Sequence, residues 1–196
     1  HGRGGCGPSS RDTVLVASSW LLREIELAAM TLAQVTLARP ADETEELFSC
    51  GVATIDLPAS KADIRALGKQ RSLRCACPSP LCPVAALTRL VATARARPGA
   101  RNSRDGDLPL IADIDGNHVT KVAVTATFKA VANAAGMPPE ARITGHSGRV
   151  TGAQRMALAG ISEWRIQVFG RWGSATVLRY VRDTLIDASA HHVAAD

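Results

Sequence analysis

Apolar residues recur at helical spacing over residues 12–34, where Val14, Leu15, Leu21, Leu22, Ile25, Leu27, Met30 and Leu32 fall in a stretch without internal proline or glycine. Asp12 or Thr13 is placed to cap this segment, and the Ser18–Ser19 pair is expected to divide it into two helices. The pattern then changes period. Residues 35–37, 47–57 and 70–75 read as short strands, separated by the turn-forming stretches Arg39-Pro40-Ala41-Asp42 and Pro58-Ala59-Ser60-Lys61. A small antiparallel sheet is the expected result. Helical spacing resumes from Pro83 to Arg97, with Pro83 suited to a first turn. Residues 98–107 form a polar loop, 108–114 a short strand, and Asp115-Gly116-Asn117 a turn. Thr120 is expected to cap a helix that runs to Ala135 and ends at Gly136 and Pro138-Pro139. Three short helices follow over 146–159, 162–169 and 174–185, punctuated by Gly160, Gly170 and Gly173. The fold class is therefore mainly α with a small antiparallel β-sheet, an α+β arrangement. Residues 1–11 read as a disordered leader, 12–187 as one domain and 188–196 as a frayed tail.

Composition narrows the function classes. Of 196 residues, 46% are hydrophobic, enough for a core and too apolar for a wholly disordered chain. No apolar run approaches the roughly 18 residues of a membrane span, and the Gly-rich start lacks the apolar stretch of a signal peptide. The expected setting is intracellular, with no membrane partner. The net charge of +5 is unevenly placed. Residues 51–100 carry 8 basic and 2 acidic side chains, and residues 141–196 carry 7 and 4. Two basic segments that converge on one face would suit nucleic acid; two ordinary solvated surfaces would look the same in sequence. Cys75, Cys77 and Cys82 form C-x-C-x4-C, three close thiols that could start a zinc site. With Cys6 and Cys50 apart from them and no fourth ligand near in sequence, the expected state is a loop of free thiols in a reducing compartment, with no metal.

The sharpest chemistry lies in the C-terminal third. His146 and Arg149 are spaced H-x-x-R at the start of a helix, which places them on one side. A planar guanidinium and an imidazole near a helix N-terminus suit a phosphate. Trp172 follows 23 residues after Arg149, and Tyr180, the chain's single tyrosine, 8 residues after that. A tyrosine hydroxyl becomes a nucleophile when its proton is removed and the target's charge is neutralised.

In this order of residues the sequence resembles the catalytic domain of the tyrosine recombinases, the phage-integrase family. Arg23 stands in LLREIEL, similar to the family's Leu-Arg-x-x-Glu-Leu element, with Glu26 in the supporting acidic place. Lys61 stands in PASKAD, similar to the Ser-Lys-Thr-Asp that precedes a strand in relatives. His146, Arg149, Trp172 and Tyr180 complete the set. By spacing, Arg171 competes with Trp172 for the last place before the tyrosine; by residue type, Trp172 fills it. The resemblance implies that Arg23 and Arg149 clamp one DNA phosphate. It further implies that Tyr180 attacks phosphorus to give a 3′-phosphotyrosyl bond, and that Lys61 protonates the leaving 5′ oxygen. His146 would then assist proton transfer, and Trp172 would buttress the phosphate. No metal or cofactor is implied.

The implied partner is double-stranded DNA, with a homotetramer on paired sites. Lys69, Arg71, Arg142, Arg155, Arg171 and Arg179 are expected to contact backbone phosphates. Nothing in the sequence corresponds to the N-terminal helical domain with which relatives clamp DNA, so weak DNA binding is expected. Other readings stay open at this point. One is a non-catalytic DNA-binding protein or inactive mobile-element remnant, built on the helix-turn-helix-like stretch QRMALAGISEWRIQVFGRW. There Trp164, Ile166, Val168 and Phe169 read as core-directed. Another is an enzyme like the type IB topoisomerases, which share the nucleophile chemistry.

Overall fold

The computed structural model describes residues 8–39, 50–58, 70–173 and 176–181. Helix α1 spans Pro8–Ser19, beginning four residues before the expected start and inside the stretch read as a leader. Asp12 is no cap. It sits within α1, and its carboxylate accepts from Arg89 Nε at 2.9 Å and Nη2 at 2.6 Å, tying α1 to a later helix. The break after Ser19 falls where the serines placed it. Leu21 takes a left-handed backbone (φ 51°) that turns the chain, and the short α2, Glu24–Ala28, follows.

The sheet is a three-stranded antiparallel meander of β1 (Val35–Ala38), β2 (Val52–Asp56) and β3 (Gln70–Arg74), in that spatial order. Ile55 lies opposite Arg71, and Val52 opposite Arg74. Alternation sets the inner face: Ala53 and Ile55 of β2 are fully buried, and so is Arg71 of β3. Helix α3, Pro83–Arg95, starts at Cys82, whose sulfur accepts from Ala85 N–H. Residues 108–114 do not make a strand. They contribute isolated bridges, Thr31 to Pro109 and Ala112 to His118, because Pro109 has no N–H to extend a ladder. Thr120 caps α4, Lys121–Ala134, by accepting from Ala123 N–H at 3.1 Å.

Helix α5, Ser147–Leu158, and α6, Glu163–Gly170, form a pair. The expectation that Trp164 and Val168 point inward is overturned: they are 70% and 42% exposed. They lie four apart, on one side of α6, while Ile166 lies nearly opposite and is buried. One helix face cannot bury both sets. Residues 176–181 are helical.

Two cores result. The larger joins α1, α3, α4 and the sheet around Val16, Trp20, Leu22, Leu87 and Ile55. The smaller joins α5 and α6 to residues 176–181 through Leu21, Ala153, Ala157, Ile166, Val177 and Val181. Leu21 thus belongs to the second core while its neighbours Trp20 and Leu22 belong to the first. No described helix is long and apolar enough to cross a membrane.

Candidate functional site

The site lies where the two cores meet. α5 begins at His146, and the turn before it is fastened locally: Thr144 N–H donates to Ser147 Oγ at 2.9 Å, and His146 N–H donates to Thr144 Oγ1 at 3.2 Å. One turn on, Arg149 points into the protein and is fully buried. Its guanidinium donates to Gly170 O and, at 3.4 Å, to Leu21 O. It also stacks 4.1 Å from the centre of the Trp172 ring.

Tyr180 closes the group. Its ring centre lies 5.9 Å from that of His146 and 6.3 Å from that of Trp172. The backbone there is held from two sides. Gln154 of α5 donates to Tyr180 O at 3.2 Å, and the flanking Val177 and Val181 are buried in the smaller core. His146, Tyr180, Arg142 and Thr144 line an open cleft of about 470 Å³.

Behind this cleft is a cluster of arginines. Arg71 reaches from the inner face of β3 to donate to Trp20 O and, at 3.1 Å, to Leu21 O, and it lies 5.4 Å from the centre of the Phe169 ring. Arg171, also left-handed at φ 58°, donates to Pro58 O at 2.8 Å and stands 3.7 Å from Glu26 Oε1. Glu26 itself accepts from the Arg23 backbone N–H at 2.8 Å, which fixes the start of α2. Arg23, Arg149 and Arg171 all lie within electrostatic reach of Arg71, and Glu26 is the carboxylate among them.

The electrostatics follow from burial. Desolvation pushes Arg71 well below the ordinary guanidinium value, to about 9; Glu26 opposes the shift, and Arg149, Arg171 and Arg23 add to it. Desolvation likewise lowers Arg149 to about 10, with Arg23 the strongest neighbouring charge. His146 is held below its ordinary value by burial first and by Arg149 second. Arg71 Nε and Nη2 and Arg149 Nε are buried and have no hydrogen-bond partner among the described residues. Four guanidiniums stand around Glu26, with Glu24 the second carboxylate beside His146, so with donors left over the site is short of negative charge.

No protein-family model matches the chain, and no curated protein matches it in sequence. Solved structures do match in fold. XerA recombinase aligns with a TM-score of 0.58 at 17% identity, over 94% of this chain and 62% of that one. XerH site-specific recombinase bound to difH, in a pre-cleavage complex, aligns at 0.57 and 16%, over 93% and 45%. The Tn1549 transposon integrase in complex with transposon right end DNA aligns at 0.53 and 20%, over 93% and 58%. The fold is that of the tyrosine recombinases. This chain spans less than two thirds of the length of each of these structures.

On the recombinase fold the expected site residues sort into three groups. His146 and Tyr180 meet at the cleft, Trp172 packs beside Tyr180 and stacks on the buried Arg149, and Arg23 and Glu26 lie within electrostatic reach of Arg149. Lys61 and Lys69 lie outside the described residues. Of the expected phosphate contacts, Arg142, Arg155 and Arg179 are exposed, whereas Arg71 and Arg171 are buried within the cluster and do not face solvent. Sequence reasoning placed Arg71 on the surface. The signal that would have corrected it is strand alternation, because Arg71 is in phase with Leu73 and pairs with the buried Ile55.

Proposed function

We propose that this protein cleaves and rejoins double-stranded DNA through a covalent bond between Tyr180 and a 3′ phosphate. The observation that carries this reading is the packing of the chain's single tyrosine against His146, with which it lines one cleft, and against Trp172, whose ring stacks on the buried Arg149. Behind it stands an arginine cluster with unmatched donors. A phosphodiester supplies the missing negative charge, and in the transition state it supplies more. Arg23 and Arg149 take the non-bridging oxygens, Arg149 by turning from the Gly170 and Leu21 carbonyls to which it donates in the DNA-free protein. Arg71 and Arg171 stand behind them as fixed charge, with Glu26 keeping the cluster together. Trp172 holds the Arg149 guanidinium by stacking.

In the cleavage step the Tyr180 oxygen forms a bond to phosphorus, and the bond from phosphorus to the 5′ oxygen breaks. The phenolic proton leaves towards His146, whose lowered affinity for a proton keeps it neutral and able to accept one near pH 7. The 5′ oxygen departs as an alcohol with a proton from Lys61. Attack by another 5′ hydroxyl reverses the sequence and rejoins strands. The acting unit is the domain expected over residues 12–187, extended at its start by α1 to Pro8, on paired DNA sites as a tetramer, inside the cell where DNA is.

The test is a DNA duplex nicked just beyond the scissile phosphate, so that the short fragment carrying the freed 5′ hydroxyl diffuses away after cleavage. The wild-type protein is expected to form a covalent adduct that resists denaturant. Tyr180→Phe should form none, and Arg149→Ala should slow its formation by about 10²–10³-fold. An adduct with Tyr180→Phe, or none with the wild type on any supercoiled or nicked substrate, removes the assignment.

A further inference from the structure

Four cysteines that the sequence keeps apart meet at the end of the sheet away from the cleft. In the hairpin register Val52 faces Arg74, so one step outward sets Gly51 beside Cys75, whose N–H donates to Gly51 O at 2.8 Å. A further step brings Cys50 between Cys75 and Cys77. The chain then loops back so that Cys82, at the start of α3, completes the set. The four Sγ atoms all lie within 4.8 Å of one another. Cys50 Sγ is 3.0 Å from Cys75 Sγ, 3.6 Å from Cys77 Sγ and 3.5 Å from Cys82 Sγ, and Cys82 Sγ is 3.8 Å from Cys75 Sγ. A zinc ion held at about 2.3 Å by four sulfurs requires sulfur–sulfur edges of about 3.8 Å. No disulfide joins these four cysteines.

We propose that Cys50, Cys75, Cys77 and Cys82 form a structural tetrathiolate zinc site that fastens the open ends of β2 and β3 to the start of α3. The surroundings suit a thiolate cage. Backbone N–H groups of Cys50 and Cys77 donate to Cys75 Sγ at 3.1 and 3.2 Å, and those of Ala76 and Ala85 donate to Cys82 Sγ at 3.2 and 3.5 Å. Such donors orient the ligands and spread their charge. Cys82 is buried in the larger core, and the other three pack against it. Arg89 lies within electrostatic reach of Cys77 and Cys82, a counter-charge for a site that carries two negative charges when zinc is bound. The donors are all soft sulfur, and four of them fill the tetrahedron, so no position is left for substrate. The thiols release their protons as the ion binds, and no electron is transferred.

The experiment is metal analysis of the full chain, purified under reducing conditions without chelator. One zinc per chain is expected, and it should be lost in Cys50→Ser and in Cys82→Ser but kept in Cys6→Ser. Should the serine variants fail to fold, the wild-type chain stripped of metal and titrated with Co²⁺ supplies a second reading. The visible bands of tetrahedral thiolate coordination should appear, saturate at one equivalent and vanish when Zn²⁺ is added. Three results overturn the site: wild-type protein with no bound metal and no such bands, iron in place of zinc, or a disulfide between two of the four cysteines that persists in the protein as purified. None of these readouts depends on DNA cleavage.

Discussion

Leu21 offers one carbonyl to two buried arginines, Arg71 and Arg149, and it does so from a left-handed turn at φ 51°. For a residue with a Cβ the conformation costs about 1–2 kcal/mol. Full burial of the leucine side chain in the smaller core returns about 2–3 kcal/mol, so the turn holds. His146 is the titrating member of the site. Its folded-state pKa lies below the ordinary 6.5, so its contribution to stability is fully present above pH 6.5 and is lost as pH falls through the folded value. Protonation on acidification should therefore destabilise the protein, and His146→Gln should flatten that part of the stability–pH curve. Phosphate bound beside it should move the titration upward, as proton NMR of the imidazole will report; an unmoved titration would separate His146 from the anion site. Lys61 calls for a chemical test. If it protonates the leaving oxygen, Lys61→Ala should slow cleavage by about 10²–10⁴-fold. A 5′ bridging sulfur, which leaves as a thiolate without needing that proton, should restore most of the loss. Equal defects on both substrates would remove Lys61 from the acid role.

At the scale of elements, the interface between α5 and α1 is set by glycine. A Cβ at Gly152 would stand 1.9 Å from Ser18 O and 2.5 Å from a Leu21 methyl. The first of these is backbone and cannot swing aside. Gly152→Ala should cost at least the 1–3 kcal/mol usual for overpacking, read as a lower denaturation midpoint with an unchanged slope. It should also slow adduct formation, since α5 carries His146 and Arg149 and α1 leads to Leu21. This interface was not legible in the sequence, where Gly152 was one small residue inside an apolar helix. What was legible had a period. The three strands, α3, α4 and the break at Ser19 all follow from spacing, caps and turns. The helix start at Pro8 was missed because α1 gains its hold from Asp12 and Arg89, a contact between residues 77 apart. Cys50 was set aside for the same reason: its partners lie 25 to 32 residues away and only the hairpin register brings them near. The motif residues of the cleft were legible because the family order is carried by residue type. Arg71 belongs to no such motif and became visible only with the pairing of β2 and β3.

For the whole molecule, the consequence of the arginine cluster is a fold held back by its own charge. The net charge is +5, and part of the excess is buried around Glu26 instead of being spread over the surface. Arg71 and Arg149 both have folded-state proton affinities below the ordinary value, at about 9 and about 10. A base with a lowered folded pKa favours the unfolded chain at every pH below that value, so at neutral pH these two side chains oppose folding. A bound anion reverses the balance. It binds the folded protein and finds no assembled cluster in the unfolded one, so it stabilises by an amount that grows with its concentration, about 2.7 kcal/mol at a hundred times its Kd. Sulfate at low millimolar concentration, well below the range where it strengthens apolar burial generally, should raise the melting temperature in a saturable way. Chloride matched for ionic strength should do less. Arg149→Gln should stabilise the protein in chloride, because a buried charge is gone, yet lose the response to sulfate. A linear response to sulfate in both proteins would instead mark a general salt effect, and the cluster would then be a structural feature with no anion to receive.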